Sequence, residues 1–105
     1  MSPQVFHILL ALADRDLHGY ALIATIESRT NGEVCLTAST LYAALRRLLN
    51  AGLIDELDAR PEHDDARRRY YRITEQGRAA GRAEAARLES LTAMARAARW
   101  LPRTR

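Results

Sequence analysis

Thr37-Ala38-Ser39-Thr40-Leu41-Tyr42-Ala43-Ala44-Leu45-Arg46-Arg47-Leu48-Leu49-Asn50-Ala51-Gly52-Leu53-Ile54-Asp55-Glu56-Leu57 changes its hydrophobic period at Gly52. Before Gly52, Leu41, Leu45, Leu48 and Leu49 recur at helical spacing, while Ser39, Ala43, Arg46 and Asn50 fall on the opposite face, with Tyr42 at the border. Thr37 or Ser39 can cap this helix, and Gly52 stands where a left-handed C-terminal residue is wanted. After Gly52 the stretch Leu53 to Leu57 reads as a strand, and Arg68-Arg69-Tyr70-Tyr71-Arg72-Ile73 reads as its partner. A polar loop with Pro61, His63 and two Asp joins them. A two-stranded hairpin is marginal alone in water, so it must pack on helices.

The flanking sequence supplies those helices. Ser2-Pro3 is a helix-start pair, and Val5, Ile8, Leu9 and Leu12 predict a first helix from about Pro3 to Ala13. After the connector Asp14-Arg15-Asp16, a second helix is expected from Gly19 to Arg29, with Leu22, Ile23 and Ile26 buried and Asn31-Gly32 as its stop. Val34, Cys35 and Leu36 then form either a short strand or an extended tether. On the far side, Thr74 caps a last helix from Glu75 to about Leu101, with a stripe of Leu88, Leu91, Met94, Ala95, Ala98 and Leu101. The expected fold is mainly α with a small β-hairpin. It divides into a winged helix-turn-helix over residues 1–74 and a C-terminal dimerisation helix and tail over 75–105.

Composition narrows the function classes. A chain of 105 residues makes one compact domain, and 48% hydrophobic with 28% charged residues is globular rather than disordered. Only 6% of residues are aromatic and much of the apolar content is Ala, so the core is thin and help from a partner subunit is expected. Cys35 is the single cysteine, which excludes an intrachain disulfide and fits a reduced, cytoplasmic protein. The apolar stretch Val5 to Ala13 is too short to span a membrane and is followed by no cleavage signature. His7, His18 and His63 lack metal-ligand spacing, and no phosphate loop, carboxylate pair or nucleophile motif is present. No metal, no cofactor and no enzymatic activity are expected.

All sixteen basic residues are Arg, and their placement says more than the net charge of +3. Residues 1–58 carry four Arg against seven acids, and residues 59–105 carry twelve against six. Three helices and a hairpin are the arrangement of a winged helix, whose third helix enters the major groove of double-stranded DNA. Thr37, Ser39, Thr40, Tyr42 and Arg46 supply donors at the start and outer face of that helix, and Arg46 has the geometry for bidentate contact with guanine. The blander reading is that Ser39 and Thr40 only cap the helix and Arg46 only solvates it. From Asp58 to Arg69 four Arg face four acids, so phosphate contact by the wing falls to Arg67, Arg68 and Arg69 near the strand start. The neutral wing and acidic first half keep a second reading open, a winged-helix protein-interaction or ligand-sensing module without DNA binding.

His18-Gly19-Tyr20 after Ile8-Leu9-Leu10-Ala11-Leu12-Ala13, Thr40-Leu41-Tyr42 with Leu45, Leu48 and Ala51-Gly52-Leu53-Ile54, and Arg68-Arg69-Tyr70-Tyr71-Arg72-Ile73-Thr74-Glu75-Gln76-Gly77 occur in this order. Together they resemble the PadR family of bacterial transcriptional regulators, from about Ile8 to Gly77 and in its short form. The resemblance implies a winged-helix homodimer, usually a repressor, with the last helix forming much of the dimer interface. By the same resemblance Tyr20 begins the second helix, where its phenol either donates to a DNA phosphate or packs in the core. Family members commonly carry Gly before the Thr-Leu-Tyr block and Pro after it; here Ser39 and Ala43 stand there, so no base preference transfers. A dimer through Val5, Ile8 and Leu9 of the first helix and Leu88, Leu91, Met94, Ala98 and Leu101 of the last is expected, because that stripe would lie exposed on a monomer. Trp100 either lines an inter-subunit pocket for a small aromatic effector or only covers the dimer core or frays near Pro102.

Overall fold

Helix α1 (Pro3–Ala11) starts where Ser2 Oγ accepts the Val5 N–H at 3.2 Å. In the computed structural model, which describes residues 1–57 and 69–102, α1 ends at Ala11, short of the expected Ala13. Two arginines from elsewhere attend its C-terminal end. Arg29 donates to the Leu10 carbonyl at 3.4 Å and Arg78 to the Ala13 carbonyl at 2.8 Å, cations at the negative end of the helix dipole.

The chain continues through β1 (Leu17–His18), α2 (Gly19–Arg29), α3 (Ala38–Asn50), β2 (Ile54–Leu57), β3 (Tyr70–Ile73) and α4 (Glu75–Ala97). Helices α2, α3 and α4 all end in the same hydrogen-bonded reversal, with a left-handed residue one place past the cap. Asn31 (φ 52°), Gly52 (φ 75°) and Arg99 (φ 65°) take that place. The following amides of Gly32, Leu53 and Trp100 return to the carbonyls of Glu27, Leu48 and Ala95. Asn31-Gly32 and Gly52 thus act as the stops the sequence predicts. Arg99 does not announce itself as one, and the last helix therefore ends at Ala97 rather than Leu101. Ala98 becomes the cap, and Leu101 lies beyond the helix.

Among the described residues the sheet has three antiparallel strands in the order β1-β3-β2, one more than the expected hairpin. Leu17 pairs with Tyr71 and His18 with Tyr70, while Ile54, Asp55, Glu56 and Leu57 pair with Ile73, Arg72, Tyr71 and Tyr70. The second expected strand is described only from Tyr70 onward; Arg67, Arg68 and the loop with Pro61 and His63 lie outside the described residues. Val34 to Leu36 make no strand: they are a tether that drops Leu36 into the core. That core joins Leu12 of the α1 cap, Leu22 and Ile26 of α2, Leu41 and Leu45 of α3 and Ile54 of β2, each at most 2% exposed. Thr74 fastens α4 to it, since its Oγ1 donates to the Gly52 carbonyl at 2.7 Å and accepts the Gly77 N–H at 3.0 Å.

Candidate nucleic-acid interface

Helix α3 is seated by Leu41, Leu45 and Leu48, all buried, and half-buried Leu49. Its other face carries Ser39, Tyr42, Ala43, Arg46, Arg47 and Asn50, all exposed. Short side chains there leave the helix backbone free to approach a groove, and the two arginines point their charge outward. Thr37 rather than Ser39 is the N-terminal cap: its Oγ1 accepts the Thr40 N–H at 3.1 Å and donates to Thr40 Oγ1 at 3.0 Å. The Thr37 and Thr40 hydroxyls are therefore engaged with each other at the helix start.

Tyr42 explains a glycine that sequence reading leaves unexplained. A Cβ placed on Gly19 would stand 2.5 Å from the Tyr42 phenol oxygen and 2.9 Å from Cζ, so the start of α2 and the border of α3 meet at a bare backbone. Tyr20 next to it is 78% exposed, which removes the core-packing alternative for that residue. Two phenols thus flank the junction of α2 and α3 on the outer surface. His18 caps α2, accepting the Ala21 N–H on Nδ1 at 3.1 Å, and its ring stands edge-on to Tyr70 with centroids 5.4 Å apart. Tyr70 therefore meets β1.

The strands that root the wing hold a charged notch. Tyr71 is buried, and burial followed by the nearby Glu56 carboxylate pushes its phenol up to about 12. Arg69, exposed, places Nη1 3.8 Å from Glu56 Oε1. On the other face Arg72 grips Asp16 with two hydrogen bonds, Nε to Oδ1 at 3.1 Å and Nη2 to Oδ2 at 2.8 Å. Cys35 is exposed, and the Glu27 carboxylate that accepts its thiol proton at 3.1 Å raises it above the ordinary thiol range.

The residues expected at a dimer interface divide. Ile8 and Leu9 are 0% and 2% exposed inside the protomer's own core, because α1 packs on α2 and α4 and turns them into the shared apolar cluster; they are not surface residues, and Val5 is half-buried. Leu88, Leu91, Met94, Ala98 and Leu101 are exposed, as is Trp100 at 82%. Leu10, which sequence reading passed over, is exposed on α1 and borders an apolar groove of about 210 Å³ between α1 and α4, with Phe6, Gly81 and Ala85 among its walls. Trp100 does not line this groove. Among the described residues no three His, Cys, Asp or Glu side chains gather as a metal site, and no helix is long and apolar enough to cross a membrane.

Comparison with known proteins agrees with this geometry. A transcriptional regulator from Clostridium thermocellum superposes with a TM-score of 0.77 at 27% identity, over 87% of this chain and 84% of that one. A PadR family transcription regulator from Clostridium difficile R20291 gives 0.77 at 22% identity, over 90% and 96%. Bacillus subtilis PadR, solved in complex with operator DNA, gives 0.68 at 19% identity, over 79% of this chain and 46% of that one. An uncharacterized protein of Lysinibacillus sphaericus is 35% identical over 72 residues, 69% of this chain, and the matched stretch spans 65% of that relative's length. Residues 8–83 match the model of the Transcriptional regulator PadR-like family, and the chain belongs to that family of winged-helix transcriptional regulators, which are not enzymes.

Proposed function

We propose that the chain is a sequence-specific, DNA-binding repressor that responds to a ligand and acts in the cytoplasm as a homodimer on an inverted-repeat operator. One observation carries the reading: a helix held rigidly by buried leucines presents a small, hydrogen-bonding face with Arg46 at its centre. The operator-bound Bacillus subtilis relative shares the fold and supports the choice of ligand. Residues 1–74 act as the DNA reader, and residues 75–105 as the dimerisation helix. In this reading Ser39, Tyr42 and Arg46 face base edges, while Tyr20 and Arg67 to Arg69 hold phosphates. Thr37 and Thr40 set the helix start. Leu88, Leu91, Met94 and Leu101 face the second copy, and Trp100 stacks a small aromatic effector between subunits.

Two-fold symmetry then sets the recognition helices about 34 Å apart, so half-sites fall roughly 10 bp centre to centre. A gel shift with the DNA upstream of the chain's own gene tests this. A shift stronger than that of random DNA, weakening steeply with salt, is expected. Equal affinity for both would sink the sequence-specific reading. Arg46→Ala should relax base choice by about 1 to 3 kcal/mol at one position of each half-site, whereas Tyr20→Phe should weaken all DNA alike. Quenching of Trp100 fluorescence by aromatic compounds reads the effector part.

A further inference from the structure

Antiparallel register puts Glu56 of β2 directly across from Tyr71 of β3. Side chains alternate along a strand, so Arg69, two residues before Tyr71, emerges on that same face. Among the described residues this brings a carboxylate, a guanidinium and a phenol together at the root of the wing, and Arg69 reaches Glu56 at 3.8 Å with the two side chains 58% and 40% exposed. Asp55, the next residue along β2, pairs across the sheet with Arg72 on the opposite face, and Arg72 is already gripped by Asp16. The two neighbouring acids therefore do different things with the same charge. An exposed ion pair at this separation is weak and exchanges readily, while arginine on phosphate forms a stronger, forked pair.

We propose that Glu56 is a built-in stand-in for a DNA phosphate: it holds Arg69 in the unbound protein, releases it to the backbone on binding, and so sets the general affinity for DNA rather than the choice of bases. The idea rests on the DNA-binding reading above. Glu56 is a positioning residue in the free state and a repulsive one in the complex. The Tyr71 phenol beside it, raised in part by this carboxylate, stays as its neighbour when Arg69 leaves.

Fluorescence anisotropy on the full chain, with a labelled duplex from upstream of its gene and a random duplex of equal length, tests the proposal across a salt series. Glu56→Gln is expected to tighten binding to both duplexes about two- to fivefold near 0.1 M salt. Asp55→Asn, the same charge change on the other face, is expected to give less than half that gain. Arg69→Ala should weaken both duplexes and reduce the salt slope by about one, and Glu56→Gln added to it should bring little further gain. A purely structural role for Glu56 predicts loss of affinity instead. Weakened or unchanged binding by Glu56→Gln, an equal gain from Asp55→Asn, or an undiminished gain in the Arg69→Ala background would each overturn the proposal. If the unaltered chain binds neither duplex, the DNA reading itself fails and takes this proposal with it; if it binds and only the variants misbehave, the DNA reading stands.

Discussion

Gly77 and Gly81 lie about one turn apart in α4, yet their surroundings are opposite. A Cβ on Gly77 would collide with the Leu53 carbonyl oxygen and press on Ile73 Cγ1, whereas one on Gly81 would meet nothing within 4 Å. Gly77→Ala should therefore destabilise by about 1 to 3 kcal/mol through overpacking. Gly81→Ala should stabilise by about 0.5 to 1 kcal/mol through reduced unfolded-state entropy. Thermal melts check the signs at roughly 4 to 8 °C per kcal/mol, and two shifts in the same direction would refute the packing argument. Gly77 closes the Tyr-Arg-Ile-Thr block and Gly81 does not, yet the reason for the difference is not in the local sequence: it is the backbone carbonyl of Leu53, brought in from just before β2. Gly19 under Tyr42 is the same case, its motif legible and its reason tertiary. Tyr71 yields a pH prediction. Its phenol stays protonated in the fold up to about 12 while the unfolded chain ionises near 10, so its contribution is complete below pH 10 and is lost as pH rises toward 12. Stability should fall across that window with a slope of at most about 1.4 kcal/mol per pH unit, and Tyr71→Phe should flatten it. An unchanged alkaline slope in the Phe variant would assign the loss to other groups.

At the scale of elements, the helices were readable because each carries its own punctuation. Ser2, Thr37 and Thr74 cap α1, α3 and α4, and Asn31 and Gly52 stop α2 and α3. Strand β1 was not readable. Two residues, Leu17 and His18, have no period to detect, and they are a strand only because β3 lies beside them. What brings β3 there is a long-range clamp, the forked Arg72–Asp16 pair across 56 positions of sequence. Because Asp16 is only 15% exposed on its side chain, the pair is shielded on one side from competing water. Asp16→Asn should loosen the third strand without unfolding the helical core. Hydrogen exchange is expected to show faster exchange at His18, Tyr70 and Tyr71, with the amides of Leu45 and Leu48 protected as before. Uniform acceleration across both groups would mean that the clamp supports the whole domain rather than the wing root.

At the scale of the molecule, the radius of gyration is 15.7 Å and the longest axis 52 Å, against about 13 Å expected for a compact chain of this length. The excess comes from α4. Its first turns are held by Thr74, by Gly77 against Leu53 and by Arg78 on the Ala13 carbonyl just past α1, and its last buried residue is Glu84, whose carboxylate takes both Arg87 Nε at 2.9 Å and Nη2 at 2.5 Å. Arg87 holds that carboxyl below its ordinary range. Beyond this pair Leu88, Leu91 and Met94 are 36%, 46% and 64% exposed, on a helical stretch too short to be stable by itself in water. The apolar period of that stretch was legible in sequence. Its end was not, because Arg99 rather than glycine makes the left-handed turn that swings Trp100 outward. Leu91→Glu separates the two requirements placed on this helix. The side chain fills no part of the protomer core, so far-UV circular dichroism should keep its helical signal. In the proposed dimer a carboxylate at the centre of the apolar seam would carry an unpaired buried charge, so light scattering at micromolar concentration should fall from twice the protomer mass to the protomer mass. With the half-sites no longer linked, affinity for the inverted repeat should drop about 100-fold or more, while affinity for a single half-site changes little. A variant that remains dimeric would move the interface off the distal half of α4 and onto another face of the molecule.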